Sequence, residues 1–285
     1  MTAQIIDGKK MAQELRAELA AKTAKLHGVP SLAVVLVGND EASLIYDRNK
    51  KKAAEAAGMT CVIHHLAEET SETELLELIR QLNADDGVNG IIVQMPLPKH
   101  LDAGRIIAEI SCDKDVDGFG FYNLGRLHAG DDGAMVAATP QGVLYMLQKT
   151  LGDLSGKEAV IIGRSNIVGR PLASLLINHN CTVTVAHSKT RNVPALTGRA
   201  DIVVAACGCP QMVKKDWIKP GAAVIDVGIN RIDGHLCGDV DFDDVKETAG
   251  FITPVPGGVG PMTVAMLLSN TLKAYIKQNG ALEKE

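Results

Sequence analysis

Apolar and polar positions along this chain follow two periods in turn. Over residues 8–27 the apolar positions Met11, Leu15, Leu19 and Leu26 recur at helical spacing, until Pro30 and Ser31 interrupt. Residues 32–37 are wholly apolar, which reads as a buried strand closed by Gly38, Asn39 and Asp40. Asp40 predicts an N-cap for a helix over 41–57 that stops at Gly58. Residues 60–66 alternate only weakly and read as an edge strand. Ser71 predicts the cap of a helix carrying Leu75, Leu76, Leu78, Ile79 and Leu82. Residues 90–95 form another buried strand, which Pro96 and Pro98 stop. Helix and strand taken in turn predict a parallel α/β domain.

Residues 101–138 are less regular. A helix is expected over 106–110, and the stretch from Asp113 to Gly133 reads as loop, of a length that is usually functional or a linker. Thr139 then caps a helix to about residue 151, with Pro140 at its first position. The alternation restarts with strands at 159–162, 182–186, 201–206 and 222–227 and helices at 167–179 and 192–198. Residues 254–261 form a stiff Pro/Gly loop. The tail, 262–279, is a helix with Met266, Leu267, Leu268, Leu272 and Ile276. The fold class expected is α/β with two α/β domains, and no internal repeat is visible.

The totals agree with this. At 285 residues the chain accommodates two domains, and 46% hydrophobic with 3% aromatic residues means an aliphatic core. A net charge of -5 argues against a polyanion-binding surface, so nucleic acid is not an expected partner. Six scattered cysteines without a C-x-x-C pattern read as free thiols of a reducing compartment. No metal site is expected. The first residues do not resemble a secretory leader, and no apolar run reaches the ~18–20 residues of a membrane span. The expectation is a soluble, cytoplasmic protein.

Candidate chemistry falls in two places. The strand at 159–162 leads into Gly163-Arg164-Ser165-Asn166-Ile167-Val168-Gly169 and then a helix. Such a turn lets backbone N–H groups and a helix N-terminus face a pyrophosphate, although the order is G-x-S-x-x-x-G instead of G-x-G-x-x-G. The next strand ends in His187-Ser188-Lys189-Thr190-Arg191 with no carboxylate, where an acidic residue would select NAD. Hydroxyl and basic groups there suit a 2′-phosphate, and Arg164 is placed to reach it, so NADP is the expected cofactor. The plain alternative is a solvated basic loop. No G-x-x-x-x-G-K-[ST] phosphate loop is present, which argues against nucleotide hydrolysis.

The second place is earlier. Tyr46 and Lys50 are four apart on the helix expected at 41–57 and share a face, a phenol beside an amine that can be tuned for acid/base work. A wet surface rich in lysine is the alternative. Short-chain dehydrogenases use the same spacing, but after their glycine-rich turn and not before it. Gln94 closes a buried strand and needs a partner or a site. Asp117 is either a turn former or a binder of an N–H-rich heterocycle.

Six stretches occur in order: Ser43-Leu-Ile-Tyr46-Asp-Arg-Asn-Lys50, Gly90-Ile-Ile-Val-Gln94-Met-Pro-Leu-Pro98, Lys114-Asp-Val-Asp117-Gly-Phe119, Thr139-Pro-Gln-Gly142, Gly163-Arg-Ser-Asn-Ile-Val-Gly-Arg-Pro171 and Pro256-Gly-Gly-Val-Gly-Pro-Met-Thr263. With them the chain resembles, over essentially its whole length, the bifunctional methylenetetrahydrofolate dehydrogenase/cyclohydrolase family of one-carbon metabolism and purine biosynthesis. The resemblance implies oxidation of 5,10-methylenetetrahydrofolate with NADP and hydrolysis of the product to 10-formyltetrahydrofolate. It implies Lys50 as catalytic residue, Gln94 as its hydrogen-bond partner, Tyr46 stacked on the folate ring and Asp117 on the pterin N–H groups. Gly257, Gly258, Val259, Gly260 and Pro261 would line the folate cleft. Gly163, Arg164, Ser165, Ile167, Gly169, Ser188 and Ile229 would bind the cofactor. It further implies a catalytic domain over 1–139, with 264–285 packing back on it, an NADP-binding Rossmann domain over 140–263, a cleft between them, and a homodimer. Asp47, Ala138 and the Cys207-Gly-Cys209 stretch depart from the family's common form. Those two cysteines, like His64 and His65, read as structural. Two other readings remain: a monofunctional NAD(P)-dependent dehydrogenase of the same fold, and a non-catalytic dinucleotide-binding protein.

Overall fold

The computed structural model describes residues 2–39 and 41–280, and over 41–47 only the helix backbone. In chain order the elements are β1 (Gln4–Ile5), α1 (Gly8–Thr23), β2 (Ser31–Val37), α2 (Glu41–Ala56), β3 (Thr60–Leu66), α3 (Glu72–Ala84), β4 (Gly90–Val93), α4 (Ala103–Glu109) and α5 (Phe121–His128). Then come α6 (Ala138–Leu151), β5 (Glu158–Ile162), α7 (Gly169–Asn178), β6 (Thr182–Ala186), α8 (Val193–Thr197), β7 (Ile202–Ala205) and β8 (Ala223–Asp226). The short β9 (Asn230–Ile232), β10 (His235–Cys237), α9 (Phe242–Val245) and β11 (Phe251–Ile252) lead to the long α10 (Val259–Asn279). The chain divides into two compact units: Gln13–Ala138 with Val264 onward, and the segment up to Ala12 with Thr139–Thr263.

In the first unit β2 lies between β3 and β4, all parallel. Its continuous apolar run is explained by burial on both faces: residues 32–37 are all buried. β3 takes the edge, as its weak alternation predicts. Ser71 caps α3 in a reciprocal box, accepting from the Glu74 N–H while the Glu74 carboxylate accepts from the Ser71 N–H. Leu75, Leu76, Ile79 and Leu82 then face the sheet, each side chain contributing about 1.5–3 kcal/mol by leaving water. Asp40, the expected cap of α2, lies outside the described residues.

The expected loop over 113–133 contains a helix, α5. Glycines at 118, 120, 125, 130 and 133 hide its signal, and no side chain caps it. It forms because Asn123 and Leu127, one turn apart, are both buried. The Asn123 amide donates to the Cys112 carbonyl and the Asp115 carboxylate and accepts from the Met135 N–H.

The second unit is a six-stranded parallel sheet in the order β1-β11-β8-β7-β5-β6. Its core is aliphatic, built on Val160, Val203, Val224 and Ile252. The N-terminal residues belong here and not, as the 1–139 boundary supposed, to the first unit: Gln4 and Ile5 pair with Phe251 and Ile252. Two-residue strands carry too little periodicity to be seen in sequence. Two starts also shift. The first helical residue of α6 is Ala138, so Thr139 is not its cap but bonds the Thr263 hydroxyl at 2.9 Å. The tail helix starts at Val259, so Val259, Gly260 and Pro261 are its first turn instead of loop.

Candidate active site

In the first unit the candidates gather at the carboxyl ends of β2 and β4, where ligands lie in open α/β sheets. Lys50, on α2, is buried at 4% exposure. Its Nζ donates to Gln94 Oε1 at 2.5 Å. Gln94 follows β4 directly, held by its N–H on the Val35 carbonyl, and its own amide NH2 donates to the Met95 carbonyl. That second bond turns the carbonyl end of Gln94 toward the lysine. Tyr46 lies on the same helix, but its side chain lies outside the described residues.

Asp117 is brought to this site by a clamped turn. Lys114 accepts from the Ile91 N–H at its carbonyl, so the segment runs beside β4. Asp115 accepts from the Phe119 and Gly120 N–H groups and from Asn123. Asp113 pairs with Lys277 at 2.6 Å. Asp117 alone of the three has no side-chain hydrogen bond among the described residues. Desolvation pushes its carboxyl up to about 7, against the attraction of Lys50 and with the help of Asp115. It is a carboxyl close enough to the buried Lys50 amine to feel its charge.

The second unit holds a cavity of about 510 Å³ around the glycine turn. Gly163 adopts φ +130°, and a Cβ there would collide with the Ala206 carbonyl oxygen, so the turn can lie flat against β7 only as glycine. Ser165 Oγ accepts from the Val168 and Gly169 N–H groups and so braces the turn that leads into α7. Arg164, Ser165, Ser188 and Thr190 line the cavity, and no carboxylate does. A guanidinium with three hydroxyls fits a phosphate, as the sequence at 187–191 implies. The basic group comes from Arg164, whereas Lys189 and Arg191 are not on the wall. Ile167 is exposed and off the wall, and Gly169 is buried under the turn.

A smaller cavity of about 170 Å³ is lined by Asp226, Gly228 and Ile229 on one side and by residues 254–261 on the other. It joins Ile229, expected at the cofactor, to Gly257, Gly258, Val259, Gly260 and Pro261, expected at the folate. The Gly257 carbonyl is fixed by the Lys9 N–H at 2.9 Å. No group of His, Cys, Asp and Glu among the described residues could hold a metal ion.

Residues 6–117 match the catalytic domain of tetrahydrofolate dehydrogenase/cyclohydrolase, and residues 137–279 match its NAD(P)-binding domain. The chain belongs to the tetrahydrofolate dehydrogenase/cyclohydrolase family. It is 56% identical to bifunctional protein FolD 2 of Paracoccus denitrificans over 99% of this chain and 95% of that one. Among solved structures, the bifunctional FolD of Campylobacter jejuni superposes with a TM-score of 0.95 at 46% identity, covering 96% of this chain and 99% of that chain. The FolD of Trypanosoma brucei, complexed with NADP cofactor and inhibitor, gives 0.92 at 37%, covering 97% and 98%.

For this tetrahydrofolate dehydrogenase/cyclohydrolase the structure adds groups that sequence reasoning passed over. Trp217 and Met212 line the larger cavity, as do Cys207 and Cys209, which the sequence reads only as structural thiols. Asp226 and Asp239 are buried between the two cavity walls, at 3% and 0% exposure. A carboxylate closing an apolar strand at Asp226 is the same signal that singled out Gln94.

Proposed function

We propose that the first unit of this bifunctional enzyme carries the reacting centre at Lys50, Gln94 and Asp117, and that the second unit carries NADP at Arg164, Ser165 and Ser188. The enzyme oxidises 5,10-methylenetetrahydrofolate to 5,10-methenyltetrahydrofolate and hydrolyses that product to 10-formyltetrahydrofolate. The observation that carries the reading is the part-buried 2.5 Å bond between Lys50 and Gln94 with Asp117 beside it. NADP, when bound, accepts the hydride from the folate methylene carbon. This step asks little acid/base help of the chain, only position.

The hydrolysis asks more. The methenyl carbon is an amidinium-like cation: water adds to it and loses its protons, the carbon–N5 bond then breaks, and one proton ends on N5 while the other is released. Lys50 Nζ is the group that handles these protons, and Gln94 fixes the direction in which Nζ points. Asp117, as carboxylate, accepts from the pterin amino and ring N–H groups, with Tyr46 stacked on the folate ring. Gly257, Gly258, Val259, Gly260 and Pro261 line the folate side of the smaller cavity and Ile229 the cofactor side. Gly163 and Gly169 shape the turn, and Ile167 is exposed beside it for the cofactor. The catalytic domain corresponds to the first unit and the Rossmann domain to the second.

The enzyme works in the cytoplasm as a homodimer. No helix among the described residues is long and apolar enough to cross a membrane. Sedimentation equilibrium giving the mass of one chain would remove the dimer.

Absorbance followed with methylenetetrahydrofolate and each nucleotide in turn, and with methenyltetrahydrofolate alone, tests the whole reading. NADP reduction together with methenyl hydrolysis above the solvent rate is expected. NADP reduction without hydrolysis would make the enzyme a monofunctional dehydrogenase.

A further inference from the structure

Two buried carboxylates in the second unit are used by neither reaction. Asp226 ends β8, and Asp239 follows β10. Asp226 Oδ1 accepts from the Gly228 and Asp239 N–H groups at 3.0 and 2.9 Å, and its Oδ2 from the Val240 N–H at 2.9 Å. Asp239 Oδ2 accepts from the Cys207 and Gly208 N–H groups at 2.7 and 3.0 Å, and its Oδ1 from the Asn230 amide at 2.9 Å. A Cβ at position 238 would collide with the Asp226 carboxylate, so the chain can close over it only as glycine. Burial raises the Asp226 carboxyl to about 6. Two carboxylates held by N–H groups alone, with no cation among their hydrogen-bond partners, are costly to bury.

What they hold gives them a task. Asp239 ties down the Cys207 and Gly208 amides, and Cys207 lies on the wall of the Arg164 cavity. Asp226 itself lines the smaller cavity with Gly228 and Ile229, and its N–H donates to Thr253 Oγ1 at 2.7 Å, one residue before the 254–261 wall. We propose that Asp239, backed by Asp226, is a positioning residue for the dinucleotide, holding the walls of the two cavities in register so that one molecule spans them. This rests on the assignment of NADP to the Arg164 cavity.

Asp239→Leu leaves the Cys207 and Gly208 N–H groups without their acceptor. Asp239→Asn keeps one acceptor oxygen for them and can turn its NH2 toward the Asn230 carbonyl once that amide rotates. The Asn variant is therefore a rescue, although it removes the charge. Trp217, the chain's one tryptophan, lies on the cavity wall and reports NADP binding by its emission. Wild type, Asp239→Leu, Asp239→Asn, Asn230→Ala and Arg164→Ala are titrated with NADP, and methenyltetrahydrofolate hydrolysis is measured on each without nucleotide. Kd for NADP is expected to rise about tenfold or more in Asp239→Leu, and about threefold or less in Asp239→Asn. Hydrolysis in both should stay within about twofold of wild type, since it needs no nucleotide. Unchanged NADP binding in Asp239→Leu, or loss of hydrolysis in equal proportion, overturns the proposal. Should Asp239→Leu not fold, Asn230→Ala decides: a raised Kd supports the device and an unchanged one removes it. An Arg164→Ala variant that binds NADP like wild type removes the cavity assignment instead, and the proposal falls with it.

Discussion

Lys50 shows how a common residue acquires a specific task. A lysine in an Asn-Lys-Lys-Lys run reads as a solvated face, yet Lys50 is buried at 4% exposure while Lys51 and Lys52 are exposed. The proposed roles separate by substitution. Lys50→Met should abolish methenyltetrahydrofolate hydrolysis while the folate still binds, read by equilibrium dialysis beside the rate. Persisting hydrolysis would remove Lys50 from the step. Asp117 gives a pH dependence of definite sign. Its carboxyl, raised from 3.8 to about 7 mainly by desolvation, loses its charge as pH falls through about 7. The KM for folate should therefore rise below that pH, since a protonated carboxyl is a poorer partner for pterin N–H groups. In Asp117→Asn the rise should vanish. A KM in the wild type that is level from pH 8 to pH 6 would contradict this.

At the scale of elements, the glycine turn and the end of β6 act together. Arg164→Ala should raise the KM for NADP about tenfold and leave NAD nearly unaffected, if the guanidinium holds the 2′-phosphate that NAD lacks, as proposed. Equal losses for both nucleotides would mean that Arg164 serves the turn and not the phosphate. In the first unit the capping box of α3 makes a stability prediction: Ser71→Ala should cost about 1 kcal/mol in urea unfolding, with unchanged activity. No change in the midpoint would show the box to be redundant. Much of this was legible before the structure. Strands with a continuous apolar run, such as β2 and β5, and the Ser71 cap are local signals that the fold keeps. What was not legible depends on partners distant in sequence. α5 exists because Asn123 finds Cys112, Asp115 and Met135, and its glycines point the other way. The site divides likewise. Gln94 and Arg164 were marked by position in their elements, whereas Asp239 and Trp217 lie in stretches with no periodicity and matter only through what the fold brings to them.

At the scale of the whole molecule, the proposed hydrolysis draws on the first unit alone, whereas the proposed hydride transfer needs the second unit as well. The proposed proton-handling groups all lie in the first unit and the proposed phosphate-binding groups in the second, so defects in one activity can leave the other standing. The division of the chain is not a simple cut, because residues up to Ala12 complete the second unit. Gln4 pairs with Phe251 and Ile5 with Ile252, which places β1 beside β11, far from it in sequence. Without β1, β11 would be an open edge of that sheet, with unpaired backbone groups along its outer side. A fragment of residues 139–263 expressed alone should aggregate more than the same fragment joined to residues 1–12 through a flexible linker, as read by light scattering at equal concentration. One edge of the second unit is thus guarded by a stretch of chain roughly 240 residues away in sequence, so that the sheet is closed off only when both ends of this chain meet.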